Sequence, residues 1–98
     1  MWRGGGLGYG QNWYDVTASR LAGTNYTNTT GKPIYASVQF YLGSTGSAAM
    51  IVDGVIIPGS SFNGAGGAFA VAAIIPNGST YMAYKDTAGS LYRWSELR

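Results

Sequence analysis

Asp15, Asp53, Asp86 and Glu96 are the only carboxylates in the chain, which has no histidine and no cysteine. Without imidazole or thiol, one copy has no Ser-His-Asp or Cys-His nucleophile, no zinc centre of the usual kind and no disulfide. What remains is acid–base work by paired carboxylates, as in glycoside hydrolysis, where two carboxyl groups must flank one sugar bond. Local sequence argues against such a pair. Asp53 precedes Gly54 in a hairpin signal, where its side chain bonds nearby backbone. Asp86 opens another turn, and Glu96 lies close to the C-terminal end. The expectation is a protein that is not an enzyme and that needs no cofactor and no metal.

The aromatic residues offer more. There are three Trp, eight Tyr and three Phe in 98 residues. Tyr and Trp present flat apolar area with a polar edge. Beside Asn and Thr, such rings suit a neutral sugar: stacking for its C–H face, hydrogen bonds for its hydroxyls. Tyr35 and Tyr41 are the outward-facing candidates, and Tyr14 and Tyr26 are candidates in loops. The remaining rings are expected in the core or at a subunit contact. GGGLGYG has the Gly-x-Gly form of a phosphate cradle, but no strand precedes it and no helix follows. Asn25, Asn28 and Asn77 begin Asn-x-Ser/Thr sequons. They read better as turn and capping residues than as glycan acceptors.

These groups need a scaffold. The length suits one small domain with a single core. Hydrophobic residues make up 46% of the chain, which argues against disorder, and charged residues only 10%, against roughly 25% in an ordinary soluble domain. A surface so poor in charge suits an extracellular or virion-borne protein, or an oligomer. The six cations are scattered and the net charge is +2, so no phosphate-tracking stripe and no nucleic-acid partner are expected. The N-terminal region has no long apolar run, so neither a signal peptide nor membrane insertion is expected.

Hydrophobic periodicity points to strands. Ile34, Ala36, Val38, Phe40 and Leu42 fall on one face of IYASVQFYL; Tyr35, Ser37, Gln39 and Tyr41 fall on the other. NWYDVTASR is compatible with a short strand, its TASR end equally with a helical turn. GSTG at 43–46 reads as a turn. Asp53-Gly54 separates two apolar runs, the second ended by Pro58-Gly59. SSFNGAGG, 60–67, reads as a loop around Phe62. AFAVAAII follows, then an Asn77-Gly78 turn into STYMAYKD, and Thr87-Ala88-Gly89 leads into SLYRWSELR. Six or seven strands without a convincing helix predict an all-β domain, an antiparallel sandwich or small barrel. The run Ala68–Ile75 is nearly all apolar, as if buried on both faces, and a neighbouring subunit is its natural cover.

GYGQNWYDVTASRLAGTNYTNTTGKPIYASV, with the tail LYRWSELR, resembles the C-terminal domain of bacteriophage and prophage tail-fibre proteins. These show a Gly-x-Gly-Gln-x-Trp-x-Asp-Val lead, then an Arg, a Gly-Thr-x-Tyr-Thr-Asn-Thr-Thr-Gly-Lys-Pro-Ile block and a Trp-Ser-Glu-Leu-like ending. Residues 8–38 match closely and 76–98 loosely; 43–75 is where such domains vary. The resemblance implies a small antiparallel β-sandwich, jelly-roll-like or Ig-like, that forms a homotrimer at the distal, host-facing end of a fibre on the virion. Residues 1–11 would be a glycine-rich leader from an upstream fibre and 12–98 the head domain. Its partners would be its own copies and a bacterial surface glycan, such as lipopolysaccharide, or an outer-membrane protein, bound without calcium. The alternative is a structural domain that trimerises and caps the fibre. Trp13, Arg20, Tyr26 and Asn28 would form a structural corner around GTNYTNTTGKP. Receptor contact would fall to Tyr35 and Tyr41 and to two variable loops, through Ser44, Thr45, Ser60, Ser61, Phe62 and Asn63.

Overall fold

The computed structural model describes residues 7–42, 46–62, 67–85 and 89–98. These form eight strands: β1 (Trp13–Asp15), β2 (Tyr26–Thr27), β3 (Ile34–Leu42), β4 (Gly46–Val52), β5 (Val55–Phe62), β6 (Gly67–Ile75), β7 (Thr80–Lys85) and β8 (Gly89–Leu97). One 3-10 turn, Thr17–Ser19, follows β1. The front sheet has the order β1-β8-β3-β6 and the back sheet β2-β7-β4-β5, with every pairing antiparallel. The first strand pairs with the last, the second with the seventh, the third with the sixth and the fourth with the fifth. The chain therefore behaves as one long hairpin rolled into two layers.

Period-two alternation drives the layering. Ile34, Ala36, Val38 and Phe40 of β3 all point inward, as expected, and meet Ala48, Met50, Val52, Val71, Ala73, Ile75, Tyr81, Ala83 and Trp94 from both sheets in one core. The Asp53-Gly54 turn joins β4 to β5 with both central residues at positive φ, 52° and 81°, the two-residue form that matches strand twist. Gly78, φ 84°, makes the turn before β7.

Two sequence expectations need correction. Residues 60–62 are not in a loop, and Pro58-Gly59 does not end the strand: β5 runs on to Phe62 against Gly46 of β4. A proline survives within it because β5 is an edge strand, and the ladder is irregular between Ser47 and Ala49. Of the readings open for NWYDVTASR, the strand holds over Trp13–Asp15 and the TASR end forms the 3-10 turn Thr17–Ser19. The strand stops at Asp15, whose Oδ1 accepts both the backbone N–H and the hydroxyl of Thr17 at 3.0 and 2.6 Å, a local turn that competes with the ladder. Tyr14 and Tyr26 accordingly sit in β1 and β2 rather than in loops.

The two ends of the layers differ. Asn12 and Arg98 exchange backbone hydrogen bonds of 3.1 and 2.9 Å at one pole. Leu42, Gly67 and Gly89 are paired neighbours at the opposite pole. The connections 43–45, 63–66 and 86–88, which hold Ser44, Thr45 and Asn63, lie outside the described residues.

Candidate functional site on the front sheet

Register assembles a surface that no single segment encodes. Residues of β1, β8, β3 and β6 that point away from the core line up in rows across the front sheet. Trp13, Leu97, Tyr35 and Ile74 form the first row; Asp15, Ser95, Ser37 and Ala72 the second; Arg93, Gln39 and Ala70 the third. Past the irregularity between Gln39 and Phe40, Ser90, Tyr41 and Ala68 form the fourth. Rows on one face are spaced by two residues, about 7 Å.

Ser37, Gln39, Ala70, Arg93 and Ser95 line a shallow cleft of about 240 Å³ in the second and third rows. Its floor is made by small side chains, so a ligand can approach the sheet closely. Trp13 and Tyr35 border it on one side and meet at 88° with centroids 6.0 Å apart. Trp13 is 55% exposed, and so is Tyr41 beyond the other side. Arg93 Nη1 lies 3.6 Å from Asp15 Oδ2, both side chains more than half exposed, and the Arg93 guanidinium is 5.7 Å from the Tyr92 ring. The Thr17 hydroxyl, then its N–H, holds the Asp15 carboxyl below the usual carboxylate value. Together the rows offer rings for stacking, hydroxyls and an amide, and one cation beside one anion.

The corner residues separate into three places. Arg20 and Tyr26 belong to a buried polar cluster built around Glu96. The Glu96 carboxylate, completely buried, accepts Arg20 Nε at 3.2 Å, Arg20 Nη2 at 3.1 Å, the Tyr81 hydroxyl at 2.9 Å and Trp94 Nε1 at 3.0 Å. Arg98 Nη1 stands 3.9 Å away. The Arg20 guanidinium lies 4.6 Å from the Tyr26 ring centroid, and that ring meets Trp94 edge-on. The Tyr26 hydroxyl accepts the Leu21 N–H. Burial, then hydrogen bonding to the Glu96 carboxylate, pushes the Tyr81 hydroxyl up to about 12. Burial disfavours the Arg20 charge, but the Glu96 bonds outweigh it and raise the guanidinium.

Asn28 holds a different junction. Buried, it donates Nδ2 to the carbonyls of Lys32, Ile75 and Pro76 at 2.7, 3.0 and 3.2 Å, and its Oδ1 accepts the Thr30 N–H and hydroxyl. Asn77 Oδ1 accepts the Gly31 N–H. The Thr/Asn-rich block thus satisfies backbone where the chain crosses between sheets. Trp13 is apart from both places, on the outer face.

Asp15 points outward while Glu96 points into the core from the neighbouring strand, so the two carboxylates occupy opposite faces of one sheet. Asp53 accepts the Ser79 hydroxyl and the Thr80 N–H, in that order of effect, and its carboxyl is lowered. Among the described residues no group of acidic side chains suits a metal ion, and no helix is long and apolar enough to cross a membrane.

Of the ligand-contact residues read from sequence, Tyr35 and Tyr41 lie on the outer front face. Ser60, Ser61 and Phe62 continue β5, where Phe62 pairs with Gly46 of β4. Asp15, Arg93, Ser95, Ser37 and Gln39 were not singled out for contact by the sequence; the outward phase of β3 contained Ser37 and Gln39, but the rest needed the register of β8. No family model, no curated protein and no solved structure matches this chain.

Proposed function

We propose that this chain is the receptor-binding head of a bacteriophage tail fibre, which holds the virion to a bacterial surface glycan or outer-membrane protein without catalysing a reaction. The strand pairing supports a jelly-roll arrangement, one of the two the resemblance implies. The observation that carries the reading is the outer front face: exposed rings flank a cleft lined by Ser37, Ser95, Gln39 and Arg93. Stacking and paired hydrogen bonds at that scale suit one sugar unit weakly. Three copies on one head multiply weak sites by avidity.

The trimer is part of the proposal. The outer face of the back sheet presents Ala49, Ile51, Ile56, Pro58, Met82 and Tyr84 in register, with no charged side chain among its described residues. An apolar face of this kind needs a cover, and packing it against sister subunits leaves the front face open; the subunit cover expected for Ala68–Ile75 has no place in this arrangement, because Ala68, Ala70, Ala72 and Ile74 belong to the open front face. The same observation favours the second reading, a domain that trimerises and caps a fibre while recognition is done elsewhere.

Adsorption separates the two. The isolated domain should sediment as a trimer, bind susceptible bacteria or a glycan array, and block attachment of the parent virus. A trimer that binds neither cells nor glycans supports capping alone, and a stable monomer at micromolar concentration removes both.

A further inference from the structure

We propose that the front-sheet cleft selects a neutral saccharide over an acidic one, through the Asp15–Arg93 pair and the Trp13 ring. This rests on the glycan-recognition reading and narrows it to a ligand class.

The charges in the four rows are one Asp15 and one Arg93, 3.6 Å apart. A sugar hydroxyl both donates and accepts. Asp15 is a pure acceptor and Arg93 a pure donor, so neighbouring hydroxyls can give a proton to one and take one from the other. Thr17 fixes the carboxylate by binding Oδ1 twice, while Oδ2 faces Arg93. Asp15 is ionised at neutral pH as any ordinary carboxylate is, and the same bonds lower its carboxyl further. A uronate or phosphate brought to Arg93 must therefore approach a fixed negative charge on the adjacent strand. Two like charges at such range repel, and an exposed ion pair is readily exchanged for bonds to hydroxyls.

Trp13 stands two residues from Asp15 on the same face, about 7 Å along the strand. The perpendicular Tyr35 contact steadies the indole while leaving much of it exposed. A hexose stacked there reaches the pair with its hydroxyl edge, and Ser37, Ser95 and Gln39 take the remaining hydroxyls. The cleft volume, about 240 Å³, lies below the range of drug-sized pockets and fits one ring with its substituents.

The test is titration of the intact domain with methyl glucoside, galactoside and mannoside against glucuronate and glucose 6-phosphate, followed by tryptophan fluorescence and calorimetry. At least one neutral glycoside should bind at least tenfold more tightly than either acid, with less than a twofold change between 50 and 500 mM NaCl. Trp13→Ala should weaken that ligand tenfold or more. Asp15→Asn should narrow the neutral-to-acidic ratio at least fivefold; both side chains are exposed, and circular dichroism checks that each variant folds. Preferential binding of the acids, or an unchanged ratio in Asp15→Asn, overturns the inference and leaves glycan recognition standing. Binding of neither class, repeated on an array of larger neutral and acidic oligosaccharides, removes both.

Discussion

Replacing Glu96 by Gln tests whether the buried cluster holds the two sheets together. The substitution keeps size and one carbonyl oxygen, so the Tyr81 hydroxyl and Trp94 Nε1 retain an acceptor. What it removes is the charge facing Arg20 and the oxygen that takes Arg20 Nη2 at 3.1 Å. Breaking a buried ion pair by losing one partner costs about 3–5 kcal/mol, and Arg20 keeps some exposure to water, so about 3 kcal/mol is expected. Glu96→Leu should cost about 5 kcal/mol, since two buried donors then go unmatched at roughly 1–3 kcal/mol each. Against a total of about 5–15 kcal/mol, Gln is the informative variant. Urea unfolding at fixed protein concentration, read by tryptophan fluorescence, should shift its midpoint by about 2 M at a slope of roughly 1.5 kcal/mol/M. Combined with Arg20→Met, the two changes should cost about 2 kcal/mol less than their sum. A Glu96→Gln protein within about 1 kcal/mol of the parent, or strict additivity with Arg20→Met, would refute the account.

Alkaline unfolding follows from Tyr81: its folded value is about 12 against 10 for the free side chain. Its contribution is intact below pH 10 and is lost as pH rises from 10 to about 12. That is about 2–3 kcal/mol, and Tyr81→Phe should flatten the slope in thermal melts. Asp15 and Asp53 are shifted the other way, so their share is present above about pH 4 and lost as pH falls further. Asp15→Asn and Asp53→Asn should flatten that acid limb, and an unaltered limb would show that other groups control it. Asn28→Asp keeps the shape but sets a carboxylate against three carbonyl oxygens. It should cost about 3 kcal/mol, roughly 15 °C in melting temperature, and a change of only a few degrees would mean the junction relaxes.

β3 was readable because its inward and outward residues alternate without exception from Ile34 to Tyr41, and Asp53-Gly54 because its turn chemistry is local. β5 was cut short at Pro58, since a proline marks a break unless the strand lies at an edge, and edge position is settled by the whole sheet. Glu96 was set aside as near-terminal, yet β8 lies between β1 and β3, so the last strand in sequence is interior in space. The alternation Trp94, Glu96 already placed that carboxylate on the core face and was the available clue. Tyr35 and Tyr41 could be named as outward from β3 alone. Asp15, Arg93 and Gln39 become neighbours only through pairings that span most of the chain, and the irregularity after Gln39 resets the rows beyond it.

The exchange of backbone bonds between Asn12 and Arg98 has a mechanical consequence. Ladder bonds run across the strands, so tension that separates these two residues peels β1 from β8 one bond pair at a time, and yields at low force. Tension applied along the strands instead loads the long ladders of β3 with β6 and β8 together, in shear, so the front sheet resists most along its own strand direction.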